Sequence, residues 1–283
     1  SMTKTLLKEY LHLGGNVLLN TKIDKILKKN KGWSVQFKSK KEITYIDCKN
    51  IFLCLGSINT LSLLIKSNLI KYNQIKDFHF HPMIKTIGKF NKIINSKNFD
   101  ISPIQITNFF PKFILGNAAS SRAQLKINTF NKISLNKIID RDWKKMAIFH
   151  ATFSIGSGKI FNLSDEKDPV VKYKISKKDL NLLNEGLNRL NSFLFSIGCE
   201  YIYPINSKNE IIYRKKFKTQ KILNSKDFNL SSVHVLGGCP FGENKKKTIA
   251  DSYGRLHNKS GIYINDSSLI CENLVKNPQG IIM

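Results

Sequence analysis

The chain begins with apolar residues at helical spacing and continues with patterns typical of strands. Residues 3–13 (TKTLLKEYLHL) place their leucines on one helical face, and Gly14 and Gly15 provide a C-terminal stop. Lys31 and Gly32 form a turn between the first two strand-like runs. The runs are NVLLNTKIDKILKK, WSVQFKS and EITYIDCKNIFLCLG. The pattern therefore predicts a short helix followed by a small β-sheet.

The segment NIFLCLGSINTLSLLIKSNLI joins a strand to a helix. Residues Ile51 to Leu55 are all apolar, as in strands that are covered on both faces. Gly56 and Ser57 supply a turn, and a leucine-rich helix follows. Since the N-terminus of a helix attracts negative charge, we expect a strand–turn–helix unit whose turn can face an anion.

A mixed region of short strand-like runs and loops covers residues 71–227 and contains one clear helix. Ser176 and Asp179 form the start signal known as a capping box, and Gly198 provides the stop. The apolar face of this helix consists of Leu180, Leu183, Leu187, Leu190 and Leu194. Residues 228–283 return to glycine turns, with one strand at GIYIND. We expect two structural layers whose segments are interleaved in the sequence.

The formal net charge of +26 suggests a polyanionic partner, but the composition argues against one. The 46 basic residues comprise 41 Lys and 5 Arg, whereas surfaces that bind nucleic acid use Arg heavily. The lysines are scattered along the chain, and Asn and Ile are abundant as well. We therefore expect solvated surface charge and no nucleic acid, with a cationic binding protein as the weaker alternative.

The cysteines and the hydropathy indicate the compartment. Five cysteines at irregular spacing, with no C-x-x-C pair, favour free thiols in a reduced compartment, so a cytoplasmic protein is expected. No apolar run approaches the roughly 18 residues of a spanning helix, and no leader opens the chain, so no membrane span is expected. The abrupt helical start after Ser1 and Met2 suggests that the natural start is missing.

Several short motifs lack the partners that their chemistry needs. GSGK at residues 156–159 has Phe153 where a phosphate-binding loop needs glycine and is expected to be a turn, and no G-x-G-x-x-G occurs. His79 and His81 in HFHP lie two apart without a further ligand close by, so no metal site is expected. Cys239 has no basic partner in sequence and fits a small buried residue.

The last fifty residues contain an ordered series of features. The segment HVLGGCPFGENKKKTIADSYGRLHNKSGIYINDSSLICENLVKNPQGIIM begins at His234. Its features are Gly237-Gly238-Cys239, Asp251-x-x-Gly254-Arg255, Ile262-Tyr263-Ile264, Asp266-Ser267-Ser268 and Asn277-Pro278. The series resembles the C-terminal segment of the glucose-methanol-choline oxidoreductases, flavoenzymes that oxidise alcohols. An ordered series is a far more specific signal than a single motif.

Two earlier segments are similar to the same family. NIFLCLGSINTLSLLIKSNL resembles a family turn followed by a leucine-rich helix, and FHFHP resembles the family's His-Pro element. The resemblance implies an α/β (α+β) fold with two domains. A partial FAD-binding domain would comprise residues 1–70 and 228–283. A substrate-binding domain at 71–227 would have a mainly antiparallel sheet and flanking helices, although between about 85 and 227 only the pattern is similar.

The resemblance implies FAD as cofactor and a small-molecule alcohol, sugar or polyol as substrate. Hydride transfer from an alcohol carbon needs a base for the hydroxyl proton, and imidazole titrates near neutral pH. By resemblance, His234 is this base or a proton relay, and Asn277 hydrogen-bonds the substrate oxygen. The implied cofactor-binding residues are Gly56, Ser57, Gly237, Gly238, Asp266, Ser267, Asn277 and Pro278. Taken alone, a histidine between Val233 and Val235 is more often structural.

The implied cofactor residues have distinct roles. Gly237 and Gly238 let the backbone approach a flat cofactor. Pro278 opens a helix whose N-terminus faces the flavin ring. Asp266 and Ser267 lie along the ribityl and pyrophosphate portion, although the family usually has glycine at the position of Ser267.

Two further departures leave an alternative open. The family's dinucleotide-binding strand and glycine-rich turn precede the region where this chain begins, and the helix after Pro278 stops at Met283. The resemblance therefore implies a missing N-terminal segment or a partner chain. The alternative is a truncated, non-catalytic remnant or a subunit that does not hold flavin by itself.

Overall fold

The computed structural model describes residues 4–39, 42–76, 78–96, 104–130, 132–161, 169–206, 210–219, 221–222, 224–272 and 275. The helices are α1 (Leu6–His12), α2 (Gly56–Lys66), α3 (Arg122–Asn128), α4 (Ile133–Asp142) and α5 (Lys177–Ser196). The strands are β1 (Lys22–Lys28), β2 (Trp33–Ser39), β3 (Glu42–Cys48), β4 (Ile51–Leu53), β5 (Phe78–Phe80), β6 (Met83–Phe90), β7 (Phe113–Ala118), β8 (Met146–Phe153), β9 (Ser157–Phe161), β10 (Val170–Lys174), β11 (Cys199–Pro204), β12 (Ile212–Tyr213), β13 (Val235–Gly237) and β14 (Ile262–Ile264).

Most strands pair antiparallel, which confirms the mixed fold class expected from the sequence. The strands β1, β2 and β3 form a meander at the start of the chain. A five-stranded sheet has the order β12-β11-β6-β8-β7, and a four-stranded sheet has the order β10-β9-β5-β13. The short strands β4 and β14 pair in parallel.

The longest helix, α5, covers one face of the five-stranded sheet. The Ser176 hydroxyl accepts the Asp179 N–H (3.2 Å), and the Asp179 carboxylate accepts the Ser176 N–H (2.9 Å), which confirms the capping box. A Cβ added to Gly186 would lie 2.3 Å from Cζ of Phe153. Glycine at this position therefore permits the close approach of α5 to Phe153 of β8. Leucines 183, 187, 190 and 194 are buried. Among the described residues, no helix, α5 included, is long and apolar enough to cross a membrane.

The buried residues form separate clusters, and each cluster draws mainly on one set of the interleaved segments predicted from the sequence. The clusters packed on the five-stranded sheet draw on residues between 84 and 230. The cluster around α2 draws mainly on residues before 71 and after 234. Phe78 and Ile160 add strands β5 and β9 to this second cluster, although both fall in the predicted substrate-binding segment. The two-domain division itself stays a prediction.

Three local predictions differ from the structure. The first strand begins at Lys22, after Asn20 adopts a left-handed conformation (φ 55°) that interrupts an extended run. The strand predicted at 51–55 covers only Ile51–Leu53, and Phe52 is 63% exposed. In GSGK only Gly156 turns (φ 72°), since the next three residues lie in β9.

Candidate active site

A cavity of about 580 Å³ lies on the face of the five-stranded sheet opposite α5. Its floor consists of every second residue of β6, β8 and β7, because alternate side chains of a strand point to the same face. The register sets Met83, Thr152 and Ile114 in one row, and Lys85, His150 and Gly116 in the next. The side chains of Lys85, His150 and Thr152 thus provide polar groups in the floor of the cavity.

His150 presents an uncharged imidazole in the floor of the cavity. Burial lowers the pKa of His150 to about 4. A hydrogen bond with the Asn117 backbone raises the pKa, but this effect is smaller than that of burial. Its Nδ1 lies 2.8 Å from the Oγ1 atom of Thr152. A Cβ on Gly116 would lie 3.0 Å from the His150 Nε2 atom, so glycine leaves room for the ring.

His234 reaches the cavity from the start of β13. This strand pairs antiparallel with β5, and Val235 lies opposite Phe80. The same register continued by one residue sets His234 opposite His81, and the two rings meet edge to face with centroids 5.4 Å apart. Both rings line the cavity. The structure therefore brings the predicted base together with the histidine that precedes Pro82.

Ser232 holds the two histidine segments in place. Its hydroxyl donates to the carbonyl oxygen of His234 (2.7 Å) and accepts the N–H of His81 (3.1 Å). His81 is only 2% exposed. His234 is half-buried, and this burial lowers the pKa of its imidazole. At neutral pH the His234 ring is therefore mainly in the unprotonated form that accepts a proton.

The described residues predicted around the cofactor come together near the N-terminus of α2, and we call them the cofactor cluster: Gly56, Ser57, Gly237, Gly238, Asp266 and Ser267. The Asp266 carboxylate accepts hydrogen bonds from the Gly56 N–H (3.0 Å), the Thr60 hydroxyl and the Ser268 N–H (2.8 Å). The anion at this helix N-terminus is thus a carboxylate of the protein itself. Through these bonds Asp266 fastens α2 to the 3₁₀ turn Ser267–Leu269.

Ser57 and Ser267 connect this cluster to β13. The Ser57 hydroxyl donates to the carbonyl oxygen of Val235 (2.9 Å) and lies 3.2 Å from the Ser267 hydroxyl. Both serines are buried. The Ser267 side chain therefore points towards Ser57, inside the protein. The bond to Val235 also links α2 to the residue that follows His234.

Gly237 and Gly238 both adopt left-handed backbone conformations, with φ 83° and 103°. A Cβ on Gly238 would lie 2.5 Å from Cδ1 of Leu61 and 3.3 Å from the Phe78 ring. The need for glycine at 238 thus follows from the backbone and from packing against α2. The contact of both glycines with a flat cofactor stays a prediction.

Gly56 forms the open side of the cofactor cluster. It has φ 76°, and a Cβ there would meet no atom within 4 Å. Phe52, in the strand before this turn, is exposed and stacks on Tyr263 with ring centroids 4.7 Å apart. An uncovered glycine turn that follows exposed aromatic surface fits one wall of a flavin site. The 283-residue sequence has no G-x-G-x-x-G, the motif that cradles a pyrophosphate in dinucleotide-binding folds.

Two predicted site residues, Asn277 and Pro278, lie outside the described residues. The described residue nearest to them in sequence, Val275, is buried and lines the cavity. The chain therefore reaches the cavity two residues before Asn277.

Sequence reasoning missed Lys85, His150 and Thr152, which line the cavity. The available signal was polarity at every second position of otherwise apolar strands, in MIKTIGKF and MAIFHATF. That signal marks a polar patch, but it does not reveal which strands become neighbours.

Two other side chains considered in the sequence show no catalytic arrangement. Cys239 is fully buried in the cluster around α2, and burial raises the pKa of its thiol to about 12. His79 lies in β5 opposite Leu236. Over the described part of the chain, no group of three or more His, Cys, Asp or Glu residues could hold a metal ion.

Comparison with known proteins connects these features to one family. The profile of the family described as GMC oxidoreductase matches residues 159–283. An uncharacterised GMC-type oxidoreductase of Sinorhizobium fredii is 26% identical over 302 residues, spanning 100% of this chain and 58% of that protein. A long-chain-alcohol oxidase of Arabidopsis thaliana is 23% identical over 261 residues, spanning 81% of this chain and 34% of that protein. The chain thus spans only part of the length of both relatives.

The fold is similar to that of an FAD-dependent oxidoreductase from Chaetomium thermophilum. The TM-score is 0.64 at 12% sequence identity, and the match covers 99% of this chain and 62% of that one. At such low identity the likeness concerns the fold alone. Residues 159–283 thus match the GMC oxidoreductase family, and the chain as a whole is similar to a GMC-type relative that aligns with all of it.

Proposed function

We propose that this chain forms the substrate side of an FAD-dependent oxidoreductase that oxidises the CH–OH group of a small alcohol, sugar or polyol. The observation that carries the proposal is the position of His234. Its ring lines the cavity, while its neighbour Val235 is hydrogen-bonded to Ser57 in the predicted cofactor cluster. A group in this position can act on a substrate that lies between the cavity and the cofactor.

His234 would act as the proton acceptor. When bound, FAD would supply the acceptor for the hydride from the substrate carbon. The imidazole would take the proton of the substrate hydroxyl, for which it must be neutral, and its burial favours the neutral form. The edge-to-face contact with His81 and the hydrogen bonds of Ser232 restrict the ring to one place beside the cavity.

Asn277 would hydrogen-bond the substrate oxygen as negative charge develops on it. The support is the position of Val275 in the cavity wall, since two residues of chain reach at most about 7 Å. Pro278 would then open the helix that follows.

The cofactor cluster would form one wall of the FAD site. Its members are Gly56, Ser57, Gly237, Gly238, Asp266 and Ser267. The internal hydrogen bonds of Asp266 and Ser57 would keep this wall rigid, so that little conformational freedom is lost when the cofactor binds.

Flavin retention tests the cofactor part of the proposal. Because the sequence contains no G-x-G-x-x-G, residues 1–283 alone are expected to lose FAD during gel filtration. An added segment with a strand followed by G-x-G-x-x-G, fused or as a separate chain, should restore bound flavin and raise the melting temperature. Stoichiometric flavin in the unextended chain would show that the described wall suffices. Absence of flavin from both preparations would favour a subunit that does not hold flavin.

A further inference from the structure

Lys85 lines the cavity, and no described residue provides a counter-ion for its side chain. Lys85 lies in the central row of the floor, between Ile205, the residue that follows β11, and His150. Across the described ranges, no ion pair or hydrogen bond involves its Nζ atom. Lys89, which follows in the same strand, is in contrast paired with Glu200. Of the two lysines in β6, Lys89 is thus paired with an acidic residue, whereas Lys85 has no acidic partner among the described residues.

The surroundings of Lys85 do not compensate its charge. Burial lowers the pKa of Lys85, which shows that the ammonium is partly removed from water. Among the described residues that line the cavity, none is acidic. The ionisable neighbours are the imidazoles of His81, His150 and His234, none of which can supply negative charge. A partly desolvated cation gains most from an anionic ligand that enters the cavity.

The remaining polar lining also suits a polar ligand. Side-chain amides at the cavity come from Gln105, Gln124 and Asn128. A long alkyl chain in this space would cover the amides and the ammonium without offering hydrogen bonds, which costs free energy. The lining therefore favours a compact substrate with several polar groups.

We propose that Lys85 binds a carboxylate of the substrate, so that the alcohol oxidised at this site is a hydroxy acid. This inference rests on the proposed function, because it assumes that the cavity holds the substrate. The hydroxyl to be oxidised would lie at His234, and the carboxylate would lie over the row that contains Lys85 and His150. The cavity volume of about 580 Å³ accommodates a compact ligand of this kind.

A matched pair of ligands tests the proposal without turnover. The probes are 4-(hydroxymethyl)benzoate and the neutral 1,4-benzenedimethanol, which differ only in the carboxylate. Their affinities are measured by calorimetry on the 283-residue chain and on Lys85→Met, Lys85→Arg and Lys172→Met. Lys172 is an exposed lysine of β10, so Lys172→Met removes the same charge away from the cavity. Circular dichroism and melting curves confirm that each variant is folded.

We expect the wild type to bind the carboxylate at least about tenfold more tightly than the diol, the scale of one charge-assisted hydrogen bond. Lys85→Met should abolish this preference, whereas Lys85→Arg and Lys172→Met should retain it. Equal affinities in the wild type, a preference that survives in Lys85→Met, or binding of neither probe would each overturn the inference. The binding assay involves no flavin. If the wild type prefers the carboxylate but its flavin-loaded form does not reduce flavin, only the proposed function is contradicted.

Discussion

His81 and His234 lie opposite each other one residue beyond the β5–β13 pairing, with ring centroids 5.4 Å apart and an interplanar angle of 88°. The pairing register places these two residues together although 153 positions separate them in the sequence. The arrangement fixes the ring of His234 at the cavity and leaves its neighbour Val235 bonded to α2. The proposed chemistry depends on this link between the cavity and the cofactor cluster.

The pH dependence of turnover should reflect the environment of His234. Burial lowers the pKa of His234 below its ordinary value of 6.5. A proton acceptor works in its neutral form, so activity is lost only as the pH falls through this lowered value. In flavin-loaded protein, kcat/KM should stay level from neutral pH to below 6.5 and then decline about tenfold per pH unit. A decline that already begins above pH 6.5 would contradict this assignment.

The close packing of Gly238 should make it intolerant of any side chain. Gly238→Ala places a methyl group against Leu61 and also strains the left-handed backbone. Gly198→Ala is the matched control, since Gly198 has a similar φ of 97° but open space around it. We expect Gly238→Ala to lose about 1–3 kcal/mol more unfolding free energy than Gly198→Ala in urea titrations. Equal losses would mean that backbone strain alone requires glycine at 238.

His150 should make the fold less stable in mild acid. The pKa of His150 is about 4 in the folded protein, compared with 6.5 ordinarily, so the unfolded chain binds a proton first as the pH falls. The stabilisation is fully present above 6.5 and is lost as the pH drops towards 4. Between about pH 7.5 and about pH 5, this one group should lower the unfolding free energy by about 2 kcal/mol.

Urea titrations of the wild type and His150→Gln at these two pH values check this prediction. The variant should lose less stability on acidification, by about the same 2 kcal/mol. If acidification weakens both proteins equally, His150 is not buried in its neutral form.

Asn277→Ala should weaken the transition state rather than substrate binding. Loss of one donor to the developing alkoxide is expected to cost roughly 2–4 kcal/mol, seen as a fall in kcat. The measurement is a comparison of kcat and KM in flavin-loaded protein. An effect confined to KM would show that Asn277 only positions the substrate.

The elements with strong local signals could be predicted from the sequence. The capping box at Ser176 and Asp179 and the leucine spacing define α5, and the turn at Gly56 and Ser57 starts α2, because these signals act within a few residues. The family resemblance further selected His234 and the cluster at Asp266, which the structure brings near each other through Val235 and Ser57.

The floor of the cavity could not be predicted in the same way. Lys85, His150 and Gly116 become neighbours only because β6, β8 and β7 pair out of chain order. Such a register depends on long-range pairing, which no short sequence window contains. The contact of Gly238 with Leu61 was missed for the same reason, since the sequence suggested a free surface for the cofactor.

The rate at which substrate reduces bound flavin under anaerobic conditions tests the central claim most directly. The proteins compared all carry the added G-x-G-x-x-G segment and bound flavin, and they are the wild type, His234→Ala and the control His12→Ala, which alters an exposed histidine of α1. We expect His234→Ala to retain its flavin but to be reduced at least about a hundredfold more slowly, the scale of a lost general base, while His12→Ala matches the wild type. Reduction of His234→Ala at a rate close to that of the wild type would contradict the role of His234 as proton acceptor.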